Sequence, residues 1–122
     1  MDVLLVEDEP LVRETLGEDL ADAGLDVVTA PTAEDAIAAA ERDGQAPAVI
    51  VTDVNLGPGM DGLALAEQAR RRWPGVGVVI MTGDPRNLPL QVSDDSVLCL
   101  MKPFSPPLLV AEVNELLGRS RR

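Results

Sequence analysis

The chain has 122 residues, one domain's worth, and this length predicts a single domain without a separate output module. Acidic residues number 21 against 10 basic ones, and the net charge of −11 repels nucleic-acid phosphates and anionic lipid, so binding to DNA, RNA or a membrane surface is not expected. Histidine is absent and Cys99 is the only cysteine, which excludes His-based catalysis, an intramolecular disulfide and a thiolate metal cluster. No apolar run of about 18 residues and no basic leader ahead of an apolar stretch occur, so the expectation is a cytoplasmic protein without a membrane span.

The first apolar run, Val3-Leu4-Leu5-Val6, is continuous and predicts a parallel strand buried on both faces. Pro10 suits the first turn of a helix with apolar positions Val12, Leu16 and Leu20, and Gly24 marks its stop. Val27-Val28 predicts the second strand. Thr32 with Asp35 resembles a capping box ahead of the stripe Ala33, Ala36, Ile37 and Ala40, which Gly44 ends. Ala48-Val49-Ile50-Val51 predicts the third strand, and Gly62, Ala66, Ala69 and Trp73 the third helix. The fourth strand runs from Val76 to Met81. A short helix over Pro85 to Val92 is weakly patterned and carries Pro89. Val97 to Met101 predicts the fifth strand. Ser105-Pro106 opens the last helix, striped by Leu109, Val113, Leu116 and Leu117, with Gly118 at its stop. The basic tail Arg119-Ser120-Arg121-Arg122 suits a helix carboxyl end. Strands alternating with helices predict an α/β protein, a single doubly wound parallel sheet with right-handed crossovers.

Such sheets place their site at the carboxyl ends of the strands. The first strand leads into Glu7-Asp8, the third ends at Asp53 before Val54 and Asn55, the fourth at Thr82, and the fifth at Lys102. Lys102 is the only lysine, and it falls where the acidic residues gather. Two like charges about 4 Å apart cost on the order of 4 kcal/mol at an effective dielectric of 20, so three carboxylates need a positive partner or raised pKa values. Lys102 supplies one charge. An all-oxygen ligand set selects a hard divalent cation, Mg²⁺ or Mn²⁺. A carboxylate beside it can act as nucleophile and form an acyl phosphate, with Thr82 and Lys102 on the phosphoryl oxygens. Each residue alone has a plainer role. Glu7 and Asp8 could cap the helix after Pro10, Asp53 could be a loop residue, and Thr82 a helix cap. Their convergence on one sheet edge predicts a shared site.

These residues resemble the receiver domain of bacterial two-component response regulators, the CheY-like family. The likeness runs through Val3–Pro10 with its acidic pair, Val51-Thr52-Asp53, Gly59-Met60-Asp61-Gly62, Met81-Thr82-Gly83 and Lys102-Pro103-Phe104, and spans the whole chain, 1–122. It implies a five-stranded flavodoxin-like (βα)5 sheet in the order 2-1-3-4-5. It implies that Asp53 accepts a phosphoryl group from the phosphohistidine of a histidine kinase or phosphotransfer protein. Glu7, Asp8, Asp53 and the backbone carbonyl of Asn55 would hold Mg²⁺, and Thr82 and Lys102 would contact the phosphoryl oxygens. Asn55 and Asp84 would flank the water that hydrolyses the acyl phosphate, and the Lys102–Pro103 bond would be cis. The domain would act as a signalling phosphoacceptor rather than an enzyme, with a downstream protein partner; a homodimer stays open.

The sequence departs from the family pattern in the loop Leu56-Gly57-Pro58-Gly59, one residue longer than usual. It also departs at Cys99, which stands where an aromatic switch residue is usual and is expected to be a small buried hydrophobe. Output is then expected through the Thr82–Asn87 loop and the short fourth helix. Two other readings are open. A small phosphatase of the haloacid-dehalogenase type also uses an aspartyl nucleophile with Mg²⁺, but has its acidic residues in the reverse chain order. A flavodoxin-like cofactor binder needs a phosphate loop where Glu7-Asp8-Glu9 stands.

Overall fold

Local signals and the apolar pattern agree on the elements of the computed structural model, which describes residues 1–84, 86 and 96–120. In chain order these are β1 (Val3–Val6), α1 (Pro10–Asp22), β2 (Val27–Ala30), α2 (Ala33–Asp43), β3 (Val49–Asp53), α3 (Gly62–Arg72), β4 (Gly77–Thr82), β5 (Val97–Met101) and α4 (Pro106–Ser120). The short helix expected over 85–92 lies, apart from Arg86, outside the described residues. All the strands pair in parallel in the order β2-β1-β3-β4-β5, as expected. The chain steps to one side of β1 for β2 and to the other for β3. The crevice at the carboxyl ends of β1 and β3 is therefore the switch point of the sheet.

Most helix ends follow the predicted signals. Pro10 opens α1, and the Thr32 hydroxyl accepts from the Asp35 amide at 3.0 Å. Gly24, at φ 88°, ends α1 in a Schellman turn. Its amide reaches the Ala21 carbonyl at 2.9 Å, and that of Leu25 reaches Leu20 at 3.3 Å. Asp61 caps α3 by accepting from the Ala64 amide at 2.8 Å, a cap the sequence reading did not single out. Gly118 does not stop α4, which runs on to Ser120. A glycine in a helix costs only about 1 kcal/mol, and burial of Leu116 and Leu117 holds the last turns in place.

β1, β3 and β4 are buried throughout, as parallel strands covered on both faces should be. One core layer joins Leu4, Ile50, Leu65, Val78 and Ile80 with α2 and α3; the other joins Leu5, Val51, Val79 and Met81 with Leu16, Leu20, Leu109 and Val113. Fully burying each such side chain contributes about 1.5–3 kcal/mol. The edge strand β2 buries only Ala30. Of the predicted α1 stripe, Leu16 and Leu20 are buried, but Val12 is exposed.

The start of α3 lies against the end of β3. The Gly62 amide donates to the Val54 carbonyl at 2.8 Å, and a Cβ at Gly62 would sit 1.9 Å from the Asp53 carbonyl oxygen. No side chain is tolerated there without moving the backbone that carries Asp53. Gly62→Ala is therefore expected to destabilise the protein by about 1–3 kcal/mol, a fall in Tm of roughly 4–12 °C by thermal unfolding.

Candidate functional site

The site is built from the strand ends. β1 and β3 run side by side, Val6 opposite Thr52, so Glu7 and Asp53 leave the sheet as neighbours. Both are buried, at 2% and 8% exposure. β4 is fixed next to β3 by the Val54 amide on the Met81 carbonyl at 3.1 Å, and β5 to β4 by the Lys102 amide on the Thr82 carbonyl at 2.8 Å. This ladder carries Lys102 back across the edge. Its ammonium bonds Asp53 Oδ2 directly and stands 3.9 Å from Glu7 Oε2. The peptide after it, Lys102–Pro103, is cis.

The carboxylates are held differently. Asp53 Oδ1 accepts the Asn55 amide at 3.2 Å, and Oδ2 has the ammonium. Glu7 Oε1 accepts the Glu9 amide at 3.2 Å, and Arg13 bonds the Glu7 carbonyl at 3.0 Å. Glu7 Oε2 is buried and accepts no hydrogen bond among the described residues. Burial foremost, with the nearby Asp53 charge, pushes the Glu7 carboxyl up to about 7, against the opposing pull of the Glu9 amide and Lys102. Asp8 stands exposed beside it, and its Oδ2 lies 3.7 Å from where a Cβ of Gly57 would be. The longer loop thus passes the mouth of the site. Farther along it, the Met60 amide is pinned to Glu34 Oε2 at 3.2 Å.

The structure therefore brings Glu7, Asp53 and Lys102 into contact range, puts Asn55 against Asp53, and leaves Asp8 at the rim. The plainer role for Glu7 and Asp8 fails: the α1 N-cap is Glu9, with no side-chain cap bond. The Thr82 hydroxyl is buried and bonded to the Asp84 backbone, accepting its amide at 3.1 Å and donating to its carbonyl at 3.2 Å. Arg13 and the Asp84–Arg86 pair escaped the sequence reading. For the pair, the available signal was a carboxylate and a guanidinium two residues apart just past Thr82.

Cys99 is exposed, a correction to the expected buried hydrophobe. Strand alternation turns Leu98 and Leu100 toward the α4 layer and Cys99 to the opposite face, at the sheet edge. The output route expected through the short fourth helix lies largely outside the described residues.

Among the described residues no three His, Cys, Asp or Glu side chains form a ready metal cage. A protein-only cage is what Ca²⁺ sites use; Mg²⁺ keeps several waters and takes one or two carboxylates. The buried, unpartnered Glu7 Oε2 beside Asp53, with Asp8 at the rim, fits such a partly hydrated hard cation.

A doubly wound sheet with an acidic cluster and one lysine at its switch point defines a class, and comparison with known proteins narrows it. Residues 3–114 match the response regulator receiver domain. The chain is 35% identical to the transcriptional regulatory protein AruR of Pseudomonas aeruginosa, over 98% of this chain and 50% of that protein. It is 33% identical to the alkaline phosphatase synthesis transcriptional regulatory protein PhoP of Bacillus subtilis, over 97% of this chain and 49% of that one. A crystal structure of a response regulator receiver protein from Sinorhizobium medicae superposes with a TM-score of 0.85 at 26% identity, covering 97% of this chain and 94% of the other. The chain belongs to the response-regulator receiver-domain family of two-component systems, and it spans about half the length of these curated relatives. The phosphatase alternative is not favoured. No helix among the described residues is long and apolar enough to cross a membrane.

Glu7 gives the site a pH signature without metal. Its carboxyl titrates near its ordinary 4.5 in the unfolded chain and near 7 when folded. Between these values the folded state holds the proton and the unfolded state does not. The contribution of Glu7 to stability therefore falls as pH rises from about 4.5 and is lost through about 7, by on the order of 3 kcal/mol. Denaturant unfolding in EDTA should show this loss in the wild type and not in Glu7→Gln.

Proposed function

We propose that Asp53 is the phosphoacceptor of this receiver domain. The observation that carries the reading is the Lys102 ammonium on the Asp53 carboxylate, at the switch point and 3.9 Å from Glu7 Oε2. A free Asp53 oxygen lone pair attacks phosphorus and forms the O–P bond. The P–N bond of a donor phosphohistidine breaks, its electrons return to the ring nitrogen, and neutral imidazole leaves because the other nitrogen carries a proton. Lys102 stays close to neutralise a phosphoryl oxygen, and the Thr82 hydroxyl turns to donate to another. Water later attacks phosphorus, returning the Asp53 carboxylate and releasing inorganic phosphate. Asn55 and Asp84 flank that water.

Glu7, Asp8, Asp53 and the Asn55 carbonyl would hold Mg²⁺, or Mn²⁺ in its place. Bound there, the cation supplies charge neutralisation for the phosphoryl oxygens. The donor is a histidine kinase or phosphotransfer protein and the readout a downstream protein, in the cytoplasm. The domain, 1–122, signals by changing its own surface and turns over no separate substrate. A net charge of −11 argues against direct nucleic-acid binding by this domain.

With acetyl phosphate and Mg²⁺, intact mass should rise by one phosphoryl group, and Asp53→Asn should abolish the rise. Label on a serine or threonine would overturn the assignment. Independently, Mg²⁺ at about ten times its Kd should stabilise the wild type by roughly 1.4 kcal/mol, several degrees in Tm, and leave Asp8→Ala and Asp53→Asn little changed.

A further inference from the structure

Thr82 is not idle in the unphosphorylated protein. Its hydroxyl carries one hydrogen and lies 3.2 Å from the Asp84 carbonyl, to which it donates, while the oxygen accepts the Asp84 amide at 3.1 Å. To donate to a phosphoryl oxygen the hydroxyl must leave the Asp84 carbonyl, because it has no second hydrogen to give. The ease of that exchange depends on how firmly Asp84 is held.

Among the described residues, the Asp84 side chain is held by Arg86 in four contacts. The Arg86 amide donates to Asp84 Oδ1 at 2.9 Å, Arg86 Nε reaches Oδ1 at 3.0 Å and Oδ2 at 3.1 Å, and Nη2 reaches Oδ2 at 2.8 Å. This is the fork-to-carboxylate arrangement that fixes geometry as well as charge. It also keeps the Asp84 carboxyl below the usual carboxylate range, so the pair stays charged through mildly acid pH. Thr82, Asp84 and Arg86 thus form a chain of contacts within five residues, with its inner end in the site and its outer end in solvent. Arg86 is 88% exposed, so water and salt compete with the outer end and its effect is moderate.

We propose that Arg86 is a positioning residue for phosphoryl capture: by bracing Asp84 it holds the Thr82 hydroxyl on the Asp84 backbone and sets how readily that hydroxyl is released to the phosphoryl group. No covalent bond changes in this step. One hydrogen bond, Thr82 to the Asp84 carbonyl, is exchanged for one to a phosphoryl oxygen. The role rests on the assignment of Asp53 as acceptor.

The test uses the full chain as wild type, Arg86→Ala, Arg86→Lys, Asp84→Asn and the Asp84→Asn/Arg86→Ala double variant. Tm should be unchanged in Arg86→Ala, as its side chain is exposed. In the unphosphorylated protein, hydrogen exchange of the Asp84 amide, followed by NMR, should quicken about two- to fivefold in Arg86→Ala, the size expected of a surface pair with good geometry. Initial phosphoryl uptake from acetyl phosphate with Mg²⁺ should quicken by a similar factor. Both gains should shrink at high salt. Arg86→Lys, which cannot fork onto both oxygens, should fall between wild type and Arg86→Ala. The double variant should be no faster than the faster single variant, since all of them open the same contact. Uptake that is unchanged or slower in Arg86→Ala overturns the role, as does faster uptake with unaltered Asp84 exchange, or additive single effects. If the wild type itself takes up no phosphoryl group, the Asp53 assignment falls and this role with it. Uptake by the wild type at the Arg86→Ala rate sinks only the role of Arg86.

Discussion

Two carboxylates leave adjacent parallel strands with almost no exposure to water, and a single ammonium answers them. Glu7 follows β1 and Asp53 ends β3, and the register that pairs Val6 with Thr52 gives neither room to move away. Left alone, the pair would be repelled or would hold a proton. Lys102 resolves this for Asp53, which it contacts, and only in part for Glu7, 3.9 Å from it. The uneven division orients Asp53 with the ammonium and the Asn55 amide, and leaves the Glu7 carboxyl raised to about 7, chiefly by burial.

The rest of the molecule holds that arrangement in place. Lys102 reaches the site because its own amide is bound to the Thr82 carbonyl, so β5 must be docked on β4 before the ammonium can lie over Asp53. α4 packs on β4 and β3 through Leu109, Val113 and Leu116, in the same core layer as Leu100 of β5. On the other face, α3 begins so close to β3 that Gly62 is the only residue type that fits behind Asp53. Packing far from the charges thus decides the distances between them.

At the carboxyl edge Glu7, Asp53 and Thr82 are buried and Asp8 is exposed at the rim. A cavity of about 810 Å³ lies at the amino ends of the strands, among Pro47, Trp73, Val76 and Leu116. It is lined by none of the site residues. Arg70, Arg71 and Arg72 gather at that end, in the last turn of α3, where the helix dipole favours them.

Much of this could be read from residues in order. Parallel strands buried on both faces show as unbroken apolar runs, and Pro10, Thr32, Gly24 and Gly44 mark helix ends through local backbone chemistry, so strands, helices and the edge carrying Glu7, Asp53, Thr82 and Lys102 were already implied. Where a signal was local but packing could override it, the reading failed. Gly118 looked like a stop and sits inside α4; Val12 and Cys99 looked buried and are exposed. Three further facts lay beyond the sequence because they are distances between residues far apart in the chain, or depend on how a loop folds back. Lys102 lies closer to Asp53 than to Glu7, Glu7 Oε2 is left without a hydrogen-bond partner among the described residues, and the Thr82 hydroxyl is engaged by an Asp84 that Arg86 braces. Chain order specifies which groups arrive at the edge, since strand ends are set by periodicity. Strand register, helix packing and loop hydrogen bonds decide which of them touch, and that only the folded chain determines.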